Sequence, residues 1–108
     1  MEISLEGWDI ARFDEVDWLP WGGSGASARA KILAVGDGYN LTLVEADAGY
    51  VGDPHVHEYP ESWYLLEGTV RNQGLEMRPG DGYVAAAGST HTDFATDTGA
   101  RYLLVFKI

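Results

Sequence analysis

The sequence predicts an all-β domain, and three observations carry that prediction. Glycine is abundant, with 14 in 108 residues. The apolar stretches are short and rich in aromatic and β-branched residues, and turn-forming clusters separate them at even spacing. Strands this short and regular suggest a sandwich or barrel, and the length suits one domain with its own core.

In chain order the expected strands are "RAKILAV" (29–35), "YNLTLVEA" (39–46), "HVHEY" (55–59), "SWYLLEGTV" (62–70), "GLEM" (74–77), "GYVAAA" (82–87), "HTDFAT" (91–96) and "RYLLVFKI" (101–108). The segments between them, "GDG", "DAGYVGDP", "RNQG", "RPGDG", "AGST" and "DTGA", hold residues that tolerate the dihedrals of tight turns. Residues 1–28 read differently, with Trp8, Trp18 and Trp21 followed by "GGSGAS". They form an N-terminal arm that packs on the barrel of residues 29–108 or on a partner subunit, as a strap, a lid or an oligomer contact. "GGSGAS" lacks the Lys-Ser/Thr of a phosphate loop and leads into a strand pattern, not a helix.

Composition excludes several functions. There is no cysteine, so any metal must be held by nitrogen and oxygen. A net charge of −10, from 7 Lys+Arg against 17 Asp+Glu, repels phosphate backbones and anionic membranes, so neither nucleic acid nor membrane is an expected partner. The N-terminus is acidic where a signal peptide would be basic, and no apolar run is long enough to span a bilayer, which together suggest a cytoplasmic protein.

The chemistry concentrates in "GDPHVHEYPES", residues 52–62, which holds two of the three histidines. In a strand, residues i and i+2 share a face, so His55 and His57 project side by side roughly 7 Å apart and can converge on one ion. Pro54 favours extended backbone before the pair, and Pro60 interrupts pairing after it, which suits a bend that re-aims Glu61. Glu61 is thus a better third ligand than Glu58, whose parity places it on the opposite face. The role of His91 does not follow from spacing alone.

"GYVGDPHVHEYPESWYLLEG" resembles the first cupin motif, with its defining positions filled by Gly49, His55, His57, Glu61 and Gly68. "GDGYVAAAGSTHTDFA" resembles the second, through Gly80, Gly88 and His91, although Ala86 stands where that motif usually has proline and Ala95 where it has asparagine. Together with the closing "GARYLLVFKI", these segments are most similar to small ChrR-like cupins and to small acetylacetone-cleaving dioxygenases. The resemblance covers roughly 29–108. It implies a double-stranded β-helix, a jelly-roll barrel of two antiparallel sheets, and one divalent metal ion held by His55, His57, Glu61 and His91. The ChrR-like group is named after the metal-binding C-terminal domain of an anti-sigma factor, but residues 1–28 contain no cysteine and cannot form the zinc-binding helical bundle that precedes the cupin there, which puts a sigma-factor partner in doubt.

Imidazole and carboxylate suit Fe(II), Zn(II), Mn(II), Ni(II) or Cu(II) alike, and four protein ligands leave open positions for chemistry. With iron, a small substrate chelating through two oxygens, such as a β-diketone or hydroxyketone, becomes a candidate for oxidative cleavage. A non-catalytic metal-binding or ligand-sensing module is the alternative. By parity, Trp63 and Leu65 face the interior with Glu61, and with Asp93 they are the candidate substrate-pocket residues; Trp63 is either a pocket wall or core packing. Asp93, sharing parity with His91, is either an acceptor behind that ligand or exposed to solvent. Small cupins commonly pair, and the tryptophan-rich arm adds apolar area, so a homodimer is expected.

Overall fold

The computed structural model describes residues 5–107. Thirteen strands appear among them: β1 (Leu19–Trp21), β2 (Ser24–Gly25), β3 (Ala28–Gly36), β4 (Tyr39–Ala46), β5 (Tyr50–Val51), β6 (His55–Val56), β7 (Glu61–Gly68), β8 (Val70–Asn72), β9 (Leu75–Met77), β10 (Gly82–Ala85), β11 (Thr90–His91), β12 (Phe94–Thr96) and β13 (Ala100–Lys107). A single 3₁₀ turn, Phe13–Glu15, precedes them. No helix among the described residues is long and apolar enough to cross a membrane.

Every pairing is antiparallel, in two main sheets. The larger has the order β1-β3-β4-β13-β7-β10 and the smaller β2-β5-β12-β8-β9, while β6 and β11 form a separate pair. Local chemistry dictates the tight hairpins. Asp37-Gly38 joins β3 to β4 and Gln73-Gly74 joins β8 to β9, with all four residues at positive φ, the twist that two-residue hairpins require.

Alternation along the long strands sends one set of side chains between the sheets. Val44, Trp63, Leu65, Tyr102 and Leu104 of the larger sheet meet Tyr50, Val70 and Phe94 of the smaller in a single core. Buried Asn40 is reconciled with that core by donating from Nδ2 to the Phe106 carbonyl and by accepting from Thr42 Oγ1.

Several expected strands are divided or shortened, among them 82–87, which ends at Ala85. The run 62–70 crosses from β7 to β8, and so from one sheet to the other, at Gly68 and Thr69. Gly68 makes this corner possible: its φ is 81°, and a Cβ there would lie 1.9 Å from the Gly99 carbonyl oxygen. The run 91–96 is split into β11 and β12 by Thr92 and Asp93. The run 55–59 is a strand only at His55–Val56, because the chain bends into Pro60.

The arm contributes to both sheets. β1 edges the larger sheet against β3, and β2 edges the smaller against β5. Upstream, Phe13 and Trp18 cover Lys31, whose ammonium lies 3.7 Å from the centroid of one ring and 4.9 Å from the other and donates to the Phe13 carbonyl at 2.7 Å. Lys31 is thereby buried on the outer side of the barrel. Trp8 is exposed, whereas Trp21 packs edge-on against Phe106.

Candidate metal centre

Three segments position the histidines and Glu61. β6 presents His55, and β11 pairs with it so that His91 stands directly opposite. His57 lies just past β6, where its backbone still pairs with the second-motif loop: its N–H donates to Ser89 O at 2.9 Å and its carbonyl accepts from Gly88 N–H at 2.7 Å. Glu61 opens β7, opposite Ala85 of β10. One donor atom from each of His55, His57, Glu61 and His91 falls within 4.8 Å of the others, a group that could hold a metal ion.

Hydrogen bonds behind the imidazoles fix which nitrogen each offers. His55 Nδ1–H donates to the Asp53 carbonyl at 2.9 Å, leaving Nε2 free. His57 Nδ1–H donates toward Ser89, with the carbonyl at 3.2 Å and Oγ at 3.0 Å. Its Nε2 lies 2.9 Å from Glu61 Oε2. In a neutral imidazole that atom carries a lone pair facing a carboxylate, an arrangement that calls for a proton or a cation to bind both. Adjacent ligands of an octahedral ion, each about 2.1 Å from it, stand about 3 Å apart. His91 Nε2–H donates to Asn72 Oδ1 at 2.6 Å, and its Nδ1 is buried with no partner. The residues therefore fit a bound divalent metal on two counts, an orphaned buried nitrogen and a nitrogen–carboxylate contact with no hydrogen of its own.

Burial, reinforced by the facing His55 and His57, lowers the pKa of His91 to about 4. His91 therefore stays neutral, as a ligand must.

Three of the four donor residues, His55, Glu61 and His91, also line a cavity of about 250 Å³ inside the barrel. Aromatic side chains form nearly half of its wall: Trp21, Tyr50, Trp63, Tyr83, Phe94 and Tyr102. Trp63 and Tyr83 stack at 4.9 Å with 13° between their planes, and Phe94 meets Trp63 edge-on at 6.0 Å. Burial raises the pKa of all three tyrosines, Tyr50 to about 12 and Tyr83 and Tyr102 well above the usual phenol range, with the Glu61 charge adding to the last two.

The residues singled out in the sequence fall into three groups. Trp63 is both core and cavity wall. Leu65 is fully buried in the core and does not reach the cavity. Asp93 does not bond to His91; its carboxylate accepts from Arg71 Nε at 3.2 Å and from the Gly74 N–H at 3.1 Å, and Arg71 holds its pKa below the usual range. Asn72 supports His91 instead, and Ser89 supports His57. Neither is visible in local spacing, since each reaches its histidine across strands. Tyr83, Phe94 and Trp21 were also missed, although the alternation of β10 places Tyr83 on the same face as Ala85.

An antiparallel jelly roll carrying a three-histidine, one-glutamate cluster defines the class: this is a cupin. More narrowly, the chain belongs to the family of the ChrR Cupin-like domain, whose model matches residues 7–107 and so takes in most of the arm. Among solved structures, the chain is similar to a protein from Methylibium petroleiphilum PM1, provisionally described as an acetylacetone dioxygenase, with a TM-score of 0.82, 20% identity and coverage of 99% of this chain and 81% of that one. It is similar to the polyketide cyclase RemF from Streptomyces resistomycificus, with a TM-score of 0.76, 25% identity and coverage of 93% and 79%. It also matches a chain in the complex of SigE with the anti-sigma ChrR from Rhodobacter sphaeroides, with a TM-score of 0.72, 24% identity and coverage of 89% and 52%. No curated protein sequence matches. Enzymes and a regulator thus share this fold.

Proposed function

We propose that this cupin is a metal-dependent enzyme of the dioxygenase type, acting on a small substrate that chelates through two oxygens, a β-diketone or hydroxyketone. His55, His57, Glu61 and His91 would hold the ion. One observation carries the reading: the donor cluster forms part of the wall of a substrate-sized apolar cavity. A site that only stores metal has no need of such a space. A bound Fe(II) would supply oxygen activation and Lewis acidity. The protein supplies the rest. Asp53, Ser89 and Asn72 orient the imidazoles. A carboxylate that gives one oxygen to the ion keeps the other, and Glu61 lines the cavity, so it is the group that would take the acidic proton of a β-diketone. The aromatic walls give the cavity a largely apolar lining on which the carbon skeleton of a substrate can pack.

Membership of the ChrR Cupin-like family favours a second reading, a metal-binding sensory module without turnover. Metal analysis of the protein as purified, followed by oxygen uptake of the Fe(II)-loaded protein with β-diketones and hydroxyketones, separates the two. Iron with substrate-dependent uptake is expected; zinc as purified and no uptake with any substrate leaves the sensory module. We also read the chain as a homodimer, supported by neighbouring exposed Leu41 and Val105 on the outer face of the larger sheet. Mass measurement in solution tests it, and a monomer at all concentrations refutes it.

A further inference from the structure

The cavity's size and unsatisfied polar groups narrow the ligand further. Its volume of about 250 Å³ compares with about 150 Å³ for a protein cavity that binds one benzene ring. A ring with a short chain of a few more heavy atoms matches that space, whereas an aliphatic diketone leaves part of the lining without contacts. The stacked Trp63 and Tyr83, with Phe94 edge-on, offer the offset and edge-to-face surfaces on which another ring packs well. Tyr102 is 2% exposed and lines this cavity, yet its hydroxyl makes no hydrogen bond among the described residues. The Tyr83 hydroxyl is likewise unpartnered, while Tyr50, the third phenol, is satisfied by the Gly22 carbonyl. Neither phenol oxygen is among the fully buried unpartnered atoms, so both open onto the cavity beside the metal-ligand cluster and are free to donate to an oxygen acceptor placed there.

We infer that the cavity takes a single-ring aryl ketone enolate, such as an aryl β-diketone, whose oxygens accept from Tyr83 and Tyr102 and whose ring packs against Trp63 and the arm residue Trp21. This rests on the proposed function for the chelating head of the ligand, but ring selection is a property of the walls. The two phenols hold the oxygens and Trp21, delivered by β1, contacts the far end. Substrate choice thus depends partly on the arm.

The test uses full-length Zn(II)-loaded protein, in which no oxygen chemistry intervenes, titrated with 1-phenylbutane-1,3-dione and pentane-2,4-dione by calorimetry and tryptophan fluorescence. The phenyl compound is expected to bind at least about tenfold more tightly. Tyr83→Phe and Tyr102→Phe should each weaken it about three- to tenfold without loss of zinc, and Trp21→Ala should reduce the phenyl-to-methyl ratio. A wild-type ratio below about twofold overturns the inference whether or not the variants fold. So does an affinity unmoved by both tyrosine variants. Failure of the enzymatic reading looks different: no oxygen uptake with Fe(II) while the phenyl preference persists removes the dioxygenase and upholds the aryl ligand.

Discussion

His91 stands directly opposite His55 across the antiparallel pair of β11 and β6, and their ring centroids are 5.2 Å apart. Two residues far apart in sequence become one chelating pair through register alone. His91→Ala and His57→Ala should each lower affinity for Zn(II) by about tenfold or more, and each should abolish the rise in Tm on adding Zn(II). Full metal content in His57→Ala, by elemental analysis, would refute the four-residue centre.

The contact between His57 Nε2 and Glu61 Oε2 leads to a different expectation for the carboxylate. Three imidazoles remain when Glu61→Gln is made, so metal should be retained with reduced affinity. The larger effect should fall on enolate binding, because the proton acceptor is gone. Titration of Fe(II)-loaded wild type with neutral acetylacetone should develop a charge-transfer band that Glu61→Gln weakens. Absence of the band in both proteins counts against the dioxygenase, and equal bands dismiss the role of Glu61.

Metal-free protein should lose stability in acid through His91. Its folded-state pKa of about 4 lies below its unfolded value of about 6.5. Between these values the unfolded chain takes up a proton that the fold refuses, so stability falls as pH drops from about 6.5 toward about 4, by at most about 1.4 kcal/mol per pH unit from this group. Above about 6.5 His91 contributes no pH dependence. Urea denaturation at pH 7, 5.5 and 4.5 should show a steeper decline in wild type than in His91→Gln, and parallel declines would refute the assignment.

Gly68→Ala should be among the most damaging single substitutions. It places a Cβ 1.9 Å from the Gly99 carbonyl oxygen at a φ of 81°, so backbone must move in addition to a left-handed penalty of about 1–2 kcal/mol. A total loss of at least about 3 kcal/mol is expected. A change in the urea midpoint equivalent to less than about 1 kcal/mol would mean that the corner is softer than this close approach implies.

The strap over Lys31 should contribute modestly. Phe13 also meets Trp18 edge-on at 5.9 Å and lies under Arg101 at 5.5 Å. Phe13→Ala should cost about 1–2 kcal/mol with an unchanged m-value. No change would show that the rings merely rest on the sheet.

How much of this was readable in sequence depends on the range of the interaction. His55, His57 and Glu61 are close enough in the chain for parity and two prolines to bring them together. Parity left Asp93 open between a place behind His91 and solvent; it turns to Arg71 and Gly74 because Thr92 and Asp93 interrupt the strand after His91. The turn from β7 into β8 was invisible for a related reason: Leu65 and Val70 both face the core, and apolar residues do not declare a change of sheet. Asn72 and Ser89 reach their histidines through long-range register, which leaves no local signature.

Within seven residues, Leu19 to Gly25, the chain pairs first with one sheet and then with the other, and Trp21 and Gly22 between them enter the cavity wall. None of these positions belongs to the metal-binding motifs. Gly23 and Gly25, at positive φ and pressed against Tyr50 and the Gly49 carbonyl, anchor the segment, so Trp21 and its neighbours upstream are the positions where a changed side chain would retune which molecules the chamber admits while the ion-binding chemistry is inherited intact.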